Sequence, residues 1–226
     1  IMLTLADHGM IGLGLYEGGQ RHFLSAGEAV ESMGDFEGLK TRVAPTTLFL
    51  DVWEAVGVNP TPMAYGEVYS GLETGAIDAA EFVGPTDDLI LGLDQLGSQL
   101  FYYHPGWWEP GPSLEVQLPL TFWNDLPEVY KAAVENAAAT SNVRTMAKYD
   151  VLNPIDLQKV KEFAEIRQFS DELLSAFKEE TENVLDSIAA DNAQFATILG
   201  PWREYRDGVQ EWHALAETSM LRAAAL

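Results

Sequence analysis

The sequence predicts an α/β fold followed by a helical C-terminal region, and three observations carry that expectation. Short β-type runs alternate with helical stretches through the first half, separated by Gly and Pro. From Asp156 onward the chain reads as almost entirely helical. At 226 residues, 47% hydrophobic and 21% charged, it is long enough for one compact domain or two small lobes around a real core.

Taken in order, Gly38 to Val43 reads as a strand closed by Pro45. Leu48, Val52, Trp53 and Val56 then recur near helical spacing, and Gly57 stops the helix. Thr61 to Ala64 is a second extended piece. It leads into a short helix over 67–74, with Glu67 in its first turn and Gly75 as the C-cap. Residues 76–83 form another strand, ended by Gly84-Pro85, so the sheet is parallel or mixed. Ser113 to Leu120 alternates as one more strand. Asn124 or Asp125 is expected to cap a helix with Pro127 in its first turn, running through Lys131, Val134 and Arg144 towards Tyr149. Ser170-Asp171-Glu172 starts a further helical segment, and Gly200-Pro201 is expected to break the pattern before a final helix. No internal repeat or low-complexity tract is present.

Charge narrows the function. With 13 Lys and Arg against 35 Asp and Glu, the net charge is −22, which opposes binding to nucleic acid and to anionic membrane surfaces. The absence of Cys removes disulfides, thiol catalysis and thiolate metal sites together. The opening Ile-Met-Leu-Thr-Leu-Ala lacks the early basic residues of a signal peptide, the first basic residue being Arg21, so an export signal is expected upstream of this chain. No run approaches the roughly 20 apolar residues of a membrane span. No P-loop, Gly-x-Ser-x-Gly elbow or dinucleotide fingerprint appears.

Some residues carry chemistry on their own terms. Arg42 sits in a strand otherwise made to be buried, and a buried guanidinium needs a carboxylate to match its fork. An internal acid or a ligand would serve. Arg21, in Gly18-Gly-Gln-Arg-His-Phe23, follows a Gly pair that lets backbone approach a ligand closely; the alternative is a surface Arg after a turn. Glu81 ends a strand and is followed by Phe82 and a Gly-Pro turn, a position that suits a site because open α/β sheets bind ligands beyond the carboxyl ends of their strands. Trp107 and Trp108, read as strand neighbours, would point to opposite faces, so one at most lines a cleft. Tyr16, Tyr65 and Tyr69 each offer a hydroxyl. His8, His22, His104 and His213 show no metal spacing.

Two stretches resemble a known family. Asp35-Phe-Glu-Gly-Leu-Lys-Thr-Arg-Val43, followed by Pro60-Thr-Pro-Met-Ala-Tyr-Gly-Glu-Val-Tyr-Ser-Gly-Leu-Glu-Thr-Gly-Ala-Ile-Asp78, resembles the central motif of the solute-binding proteins of TRAP transporters (tripartite ATP-independent periplasmic transporters). Glu81 to Asp88, together with Tyr102-Tyr-His-Pro-Gly-Trp-Trp-Glu-Pro-Gly-Pro112, resembles the branch of that family that binds 2-oxo and 2-hydroxy monocarboxylates. The resemblance implies a periplasmic-binding-protein-like type II clamshell. Nothing here corresponds to the family's opening strand-helix-strand unit, so one lobe is expected to be incomplete. Residues 1–19 would be the remnant of lobe 1, 20–107 lobe 2, 108–147 a return to lobe 1, and 148–226 C-terminal helices packing on lobe 2.

The same resemblance implies roles. Arg42 clamps the substrate carboxylate and Arg21 lines the cleft, with Trp107 and Tyr69 as further substrate contacts. Glu81 and the Phe82 carbonyl hold Na⁺ or Ca²⁺ bridging to the substrate, with Glu109 and Gln20 as candidates for the same cation, since oxygen ligands suit hard cations. No other cofactor is required. The implied function is capture of a small organic acid in the periplasm for membrane permease subunits, without catalysis, with homodimerisation through the C-terminal helices. The rival from another class is a hydrolase using Glu81 and Glu109 as paired carboxylates between Trp walls. Such an enzyme has no need of a buried Arg42. A third reading is an interaction module that no longer binds ligand.

Overall fold

The computed structural model describes residues 2–17, 23–27, 29–97, 99–109, 111 and 113–226. Helix α1 (Met2–Asp7) leads into β1 (Met10–Glu17), which pairs antiparallel with β7 (Ser113–Pro119), Met10 opposite Pro119 and Glu17 opposite Ser113. The short helix α5 (Leu120–Asp125) follows β7, and the 36-residue helix α6 (Glu128–Phe163) packs on β1.

The larger sheet has six strands in the order β4 (Asn59–Pro62), β3 (Lys40–Val43), β5 (Ala79–Glu81), β2 (Phe23–Ala26), β6 (Leu100–His104) and β8 (Ala164–Gln168). The expectation of a mixed sheet holds: β4, β3 and β5 run parallel, β2 is antiparallel to both β5 and β6, and β8 is parallel to β6. Helix α2 (Thr47–Ala55) joins β3 to β4, and α3 (Val68–Thr74) joins β4 to β5. Gly75 closes α3 at φ +70°, the left-handed conformation that favours glycine.

Both faces of this sheet are covered, and β6 shows it most plainly. Phe101 and Tyr103 enter one cluster, with Phe36, Trp53, Val56, Trp108, Phe169 and Phe177. Leu100 and Tyr102 enter another, with Val68, Leu72, Ile77, Ala80 and Val160. The period of two along a strand sends alternate residues to opposite faces, and Leu100 to Tyr103 are buried on both.

Several expected elements differ. Strand β8 interrupts the region expected to be helical after Asp156; its pairing with β6 outweighs a local pattern in which Glu165, Arg167 and Gln168 are no strand formers. Asn124 and Asp125 end α5 rather than capping α6, whose N-cap is Pro127 with no side-chain hydrogen bond. Helix α6 runs on past Tyr149 and through Pro154 to Phe163, unbroken at residue 147. Gly200-Pro201 lies inside α8 (Ala193–Leu215). A proline there forfeits one backbone bond, yet the helix is started firmly by Asn192, whose Oδ1 accepts from the Phe195 N–H at 3.0 Å.

The chain divides into two compact units, 1–180 and 181–226, with α7 (Asp171–Asp191) crossing the division. Within the second, α8 is followed by α9 (Glu217–Ala224). Arg203 pairs with Glu182 and, at 2.6 Å, with Asp186, while Arg206 pairs with Glu182 and, at 2.9 Å, with Asp207. Among the described residues no helix is long and apolar enough to cross a membrane.

Candidate functional site

Because β4, β3 and β5 run parallel, their carboxyl ends lie together. That edge gathers Met63 just beyond β4, Arg42 near the end of β3 and Glu81 at the end of β5. The register sets Arg42 opposite Thr61 on one side and Ala80 on the other, within reach of both neighbouring strand ends. Arg42 Nη1 donates to Glu81 Oε1 at 2.8 Å and to the Glu81 carbonyl at 2.7 Å, and Nε donates to the Met63 carbonyl at 2.9 Å. The Ala44 N–H donates to the same Glu81 Oε1 at 2.7 Å. Arg42 is 5% exposed and Glu81 0%. Two charges so deep are tolerated only when each is paired and further hydrogen-bonded, and here both conditions are met. Of the two carboxylate sources that the sequence leaves open for Arg42, the structure supplies the internal one.

Aromatic rings adjoin the pair. The Arg42 guanidinium carbon lies 5.8 Å from the Phe82 ring centroid, and Tyr65 stacks on Phe82 with centroids 5.5 Å apart and planes 16° from parallel. Tyr65 is 58% exposed. A cation, a partly buried ring and an exposed ring are thus layered at the strand ends.

The turn after Glu81 is tied down from behind. Asp88, at the end of α4 (Pro85–Asp88), accepts from the Val83 N–H on Oδ1 at 3.1 Å and from the Tyr102 hydroxyl on Oδ2. The Asp87 and Asp88 N–H groups return to the Gly84 carbonyl. Burial pushes the Asp88 carboxyl up to about 7; the Tyr102 and Val83 hydrogen bonds act the other way, and the nearby charges of Asp87 and Glu81 add to the rise. Tyr102 is itself pushed well above its ordinary value, by burial first and then by Asp88.

Trp107 and Trp108 lie in a turn, not a strand, so the opposite-faces expectation fails. Both lie 5.0 Å from Trp53 by ring centroid, and Trp107 stacks on Phe177 at 4.2 Å. Glu109 follows, half-buried. The Tyr69 hydroxyl donates to Glu73 on its own helix at 3.2 Å. Gln20 and Arg21 lie outside the described residues. Among the described residues no group of three or more His, Cys, Asp or Glu is arranged to hold a metal. The Glu81 carboxylate and the Phe82 carbonyl are oxygen donors of the kind that hard cations take.

Sequence reading missed the Asp88–Tyr102 tie, although both residues lie within the quoted motifs; a buried acid leaves no periodic signal. Tyr65 was visible only as one hydroxyl among three.

Residues 2–192 match the family described as bacterial extracellular solute-binding protein, family 7 (DctP). A monocarboxylate 2-oxoacid-binding periplasmic protein of Nostoc sp. is 35% identical over 191 residues, which cover 84% of this chain and 51% of that protein. A TRAP transporter solute-binding protein from Bordetella bronchiseptica, a mixed-occupancy dimer with calcium and picolinate in one active site, superposes with a TM-score of 0.90 at 27% identity, over 98% of this chain and 65% of that one. A TRAP periplasmic solute-binding protein from Colwellia psychrerythraea with bound calcium and pyruvate shares the fold, with a TM-score of 0.89 at 24% identity, over 98% of this chain and 67% of that one. The chain spans about half the length of the curated relative.

Proposed function

The chain belongs to family 7 of the bacterial extracellular solute-binding proteins, the substrate-binding proteins of TRAP transporters, and from that premise we propose that it captures a small 2-oxo or 2-hydroxy monocarboxylate in the periplasm. The family is one of solute-binding proteins and not of enzymes. A carboxylate committed to a buried Arg, as Glu81 is, also makes a poor general acid for the paired-carboxylate hydrolase.

The observation that carries the reading is the Arg42–Glu81 pair at the carboxyl ends of three parallel strands. Hydrogen bonds to Glu81 and to the Met63 carbonyl fix the plane of the guanidinium, so it presents a preorganised cation. In our reading the ligand carboxylate meets Arg42 beside Phe82, with Arg21 as the second cation, while Phe82 and Tyr65 flank the carbon skeleton. Trp107 and Tyr69, engaged with Phe177 and Glu73, then act by packing and not by touching the acid.

A ligand anion drawn to this corner also meets the charge of Glu81. Na⁺ or Ca²⁺ held by Glu81 and the Phe82 carbonyl, with Glu109 and Gln20, would offset that repulsion. Support comes from relatives named for 2-oxoacids and for calcium with picolinate, a flat monocarboxylate.

We further assign residues 1–19 and 108–147, which carry the two-stranded sheet, to one lobe. Residues 20–107 and 148–226 are assigned to the other. Delivery goes to membrane permease subunits. Homodimerisation through the C-terminal helices is supported by the exposed Trp202, Tyr205, Trp212 and Leu215 of α8, and a Trp212→Glu chain sedimenting like the wild type would remove it. Calorimetric titration with pyruvate in Ca²⁺ or Na⁺ buffer tests the main reading. Binding is expected for the wild type and lost in Arg42→Ala; equal affinity in the two proteins would overturn the clamp.

A further inference from the structure

We propose that Asp88 is a positioning residue for ligand capture, anchored by Tyr102, which aims the Phe82 carbonyl. The proposal deepens the site above and rests on reading that carbonyl as facing ligand and cation.

The argument begins with one peptide unit. The N–H of Val83 and the C=O of Phe82 belong to the same planar group, and in a trans peptide they point in opposite directions. The 82–83 bond is trans, since the only cis bond among the described residues is His104–Pro105. Holding the Val83 N–H on Asp88 Oδ1 at 3.1 Å therefore directs the Phe82 carbonyl away from Asp88.

The hold is itself rigid. Ala80 of β5 stands opposite Leu24 of β2, and Leu24 opposite Tyr102 of β6, so Tyr102 lies on the same rung two strands away. Ala80 and Tyr102 share one core cluster, and Tyr102 is 2% exposed. Its hydroxyl donates to Asp88 Oδ2, so one carboxylate links the middle of β6 to the turn that follows β5. The Asp88 N–H returns to the Gly84 carbonyl, and α4 packs on α6, where Asn153 Oδ1 accepts from the Thr86 N–H at 3.2 Å. A carboxylate 5% exposed is costly, and an apolar side chain would fill the same space. What an apolar residue cannot do is fix the direction of a peptide plane.

The test uses the whole chain with two conservative partners. Asp88→Leu keeps the bulk and removes the acceptors, while Asp88→Asn keeps an acceptor for Val83. Exchange of the Val83 amide is followed without ligand, and pyruvate affinity is followed by calorimetry in Ca²⁺ buffer. Asp88→Leu is expected to speed Val83 exchange and to weaken pyruvate binding, each by about tenfold, the size of one lost buried hydrogen bond. Asp88→Asn is expected to restore both. If Asp88→Leu does not fold, Tyr102→Phe removes the anchor alone and is expected to shift both readouts several-fold. Unchanged Val83 exchange in the variant, or wild-type affinity despite fast exchange, would overturn the positioning role. Failure of the ligand reading is distinct: the wild type itself would show no pyruvate binding.

Discussion

Arg42 on β3 donates to both the carboxylate and the backbone carbonyl of Glu81 on β5, so one guanidinium secures a strand end and pairs with the charge it carries. The pair is buried on both sides. Its removal from one side leaves an uncompensated charge where water does not reach, and that asymmetry separates stability from function.

Arg42→Ala is expected to destabilise the chain by about 3–5 kcal/mol in urea unfolding. The double replacement Arg42→Met with Glu81→Met removes both charges and is expected to recover most of that loss while remaining unable to bind an organic acid. A double variant no more stable than the single would show that the pair itself, and not the orphaned Glu81, sets the cost.

Tyr65 is exposed and stacked on Phe82. Tyr65→Ala should therefore change unfolding free energy by no more than about 1.5 kcal/mol, the scale of an aromatic pair. The same change should weaken carboxylate binding several-fold in calorimetry. Full affinity in Tyr65→Ala would place the ring outside the site.

Asp88 gives a pH signature. Its carboxyl titrates at about 7 in the fold against 3.8 in the unfolded chain, because burial disfavours the charge. The native state thus holds a proton that the unfolded chain has released between those values. The stability linked to this group is fully present below 3.8 and is lost as pH rises through about 7. Asp88→Asn cannot titrate, so its unfolding free energy relative to the wild type should improve from about pH 4 to about pH 8, by up to about 4 kcal/mol. A flat difference across that range would mean that Asp88 ionises normally.

Trp107 stacks on Phe177 and neighbours Trp53. Trp107→Ala is expected to cost about 3–5 kcal/mol through the cavity it leaves, with the folded fraction keeping its ligand affinity. Reduced affinity at full folding would return Trp107 to the ligand's surroundings.

Strands β2 and β6 drew no strand reading from the sequence, whereas β3 and β5 were legible where Gly and Pro mark their ends. Strand β8 was not, because its identity depends on β6, some sixty residues earlier, and not on its own composition. Arg42 was legible as a buried cation requiring a carboxylate. Its partner was not, because one acid among 35 is chosen by strand register, which no local pattern encodes. Trp107 and Trp108 misled for a related reason: alternation between faces holds for a strand, and they sit in a turn against Trp53. The Asp88–Tyr102 tie joins two segments that only the fold brings together.

The most direct measurement is thermal denaturation of the wild type and of Arg42→Ala against pyruvate, lactate and succinate, each with Ca²⁺, with Na⁺ and with chelator in Na⁺-free buffer. A ligand that binds the native state raises the midpoint by linkage, so even weak binding registers. The expected result is a rise for the wild type with a 2-oxo or 2-hydroxy monocarboxylate that needs the cation and vanishes in Arg42→Ala. No rise with any acid, or an equal rise in the variant, would contradict carboxylate capture at Arg42.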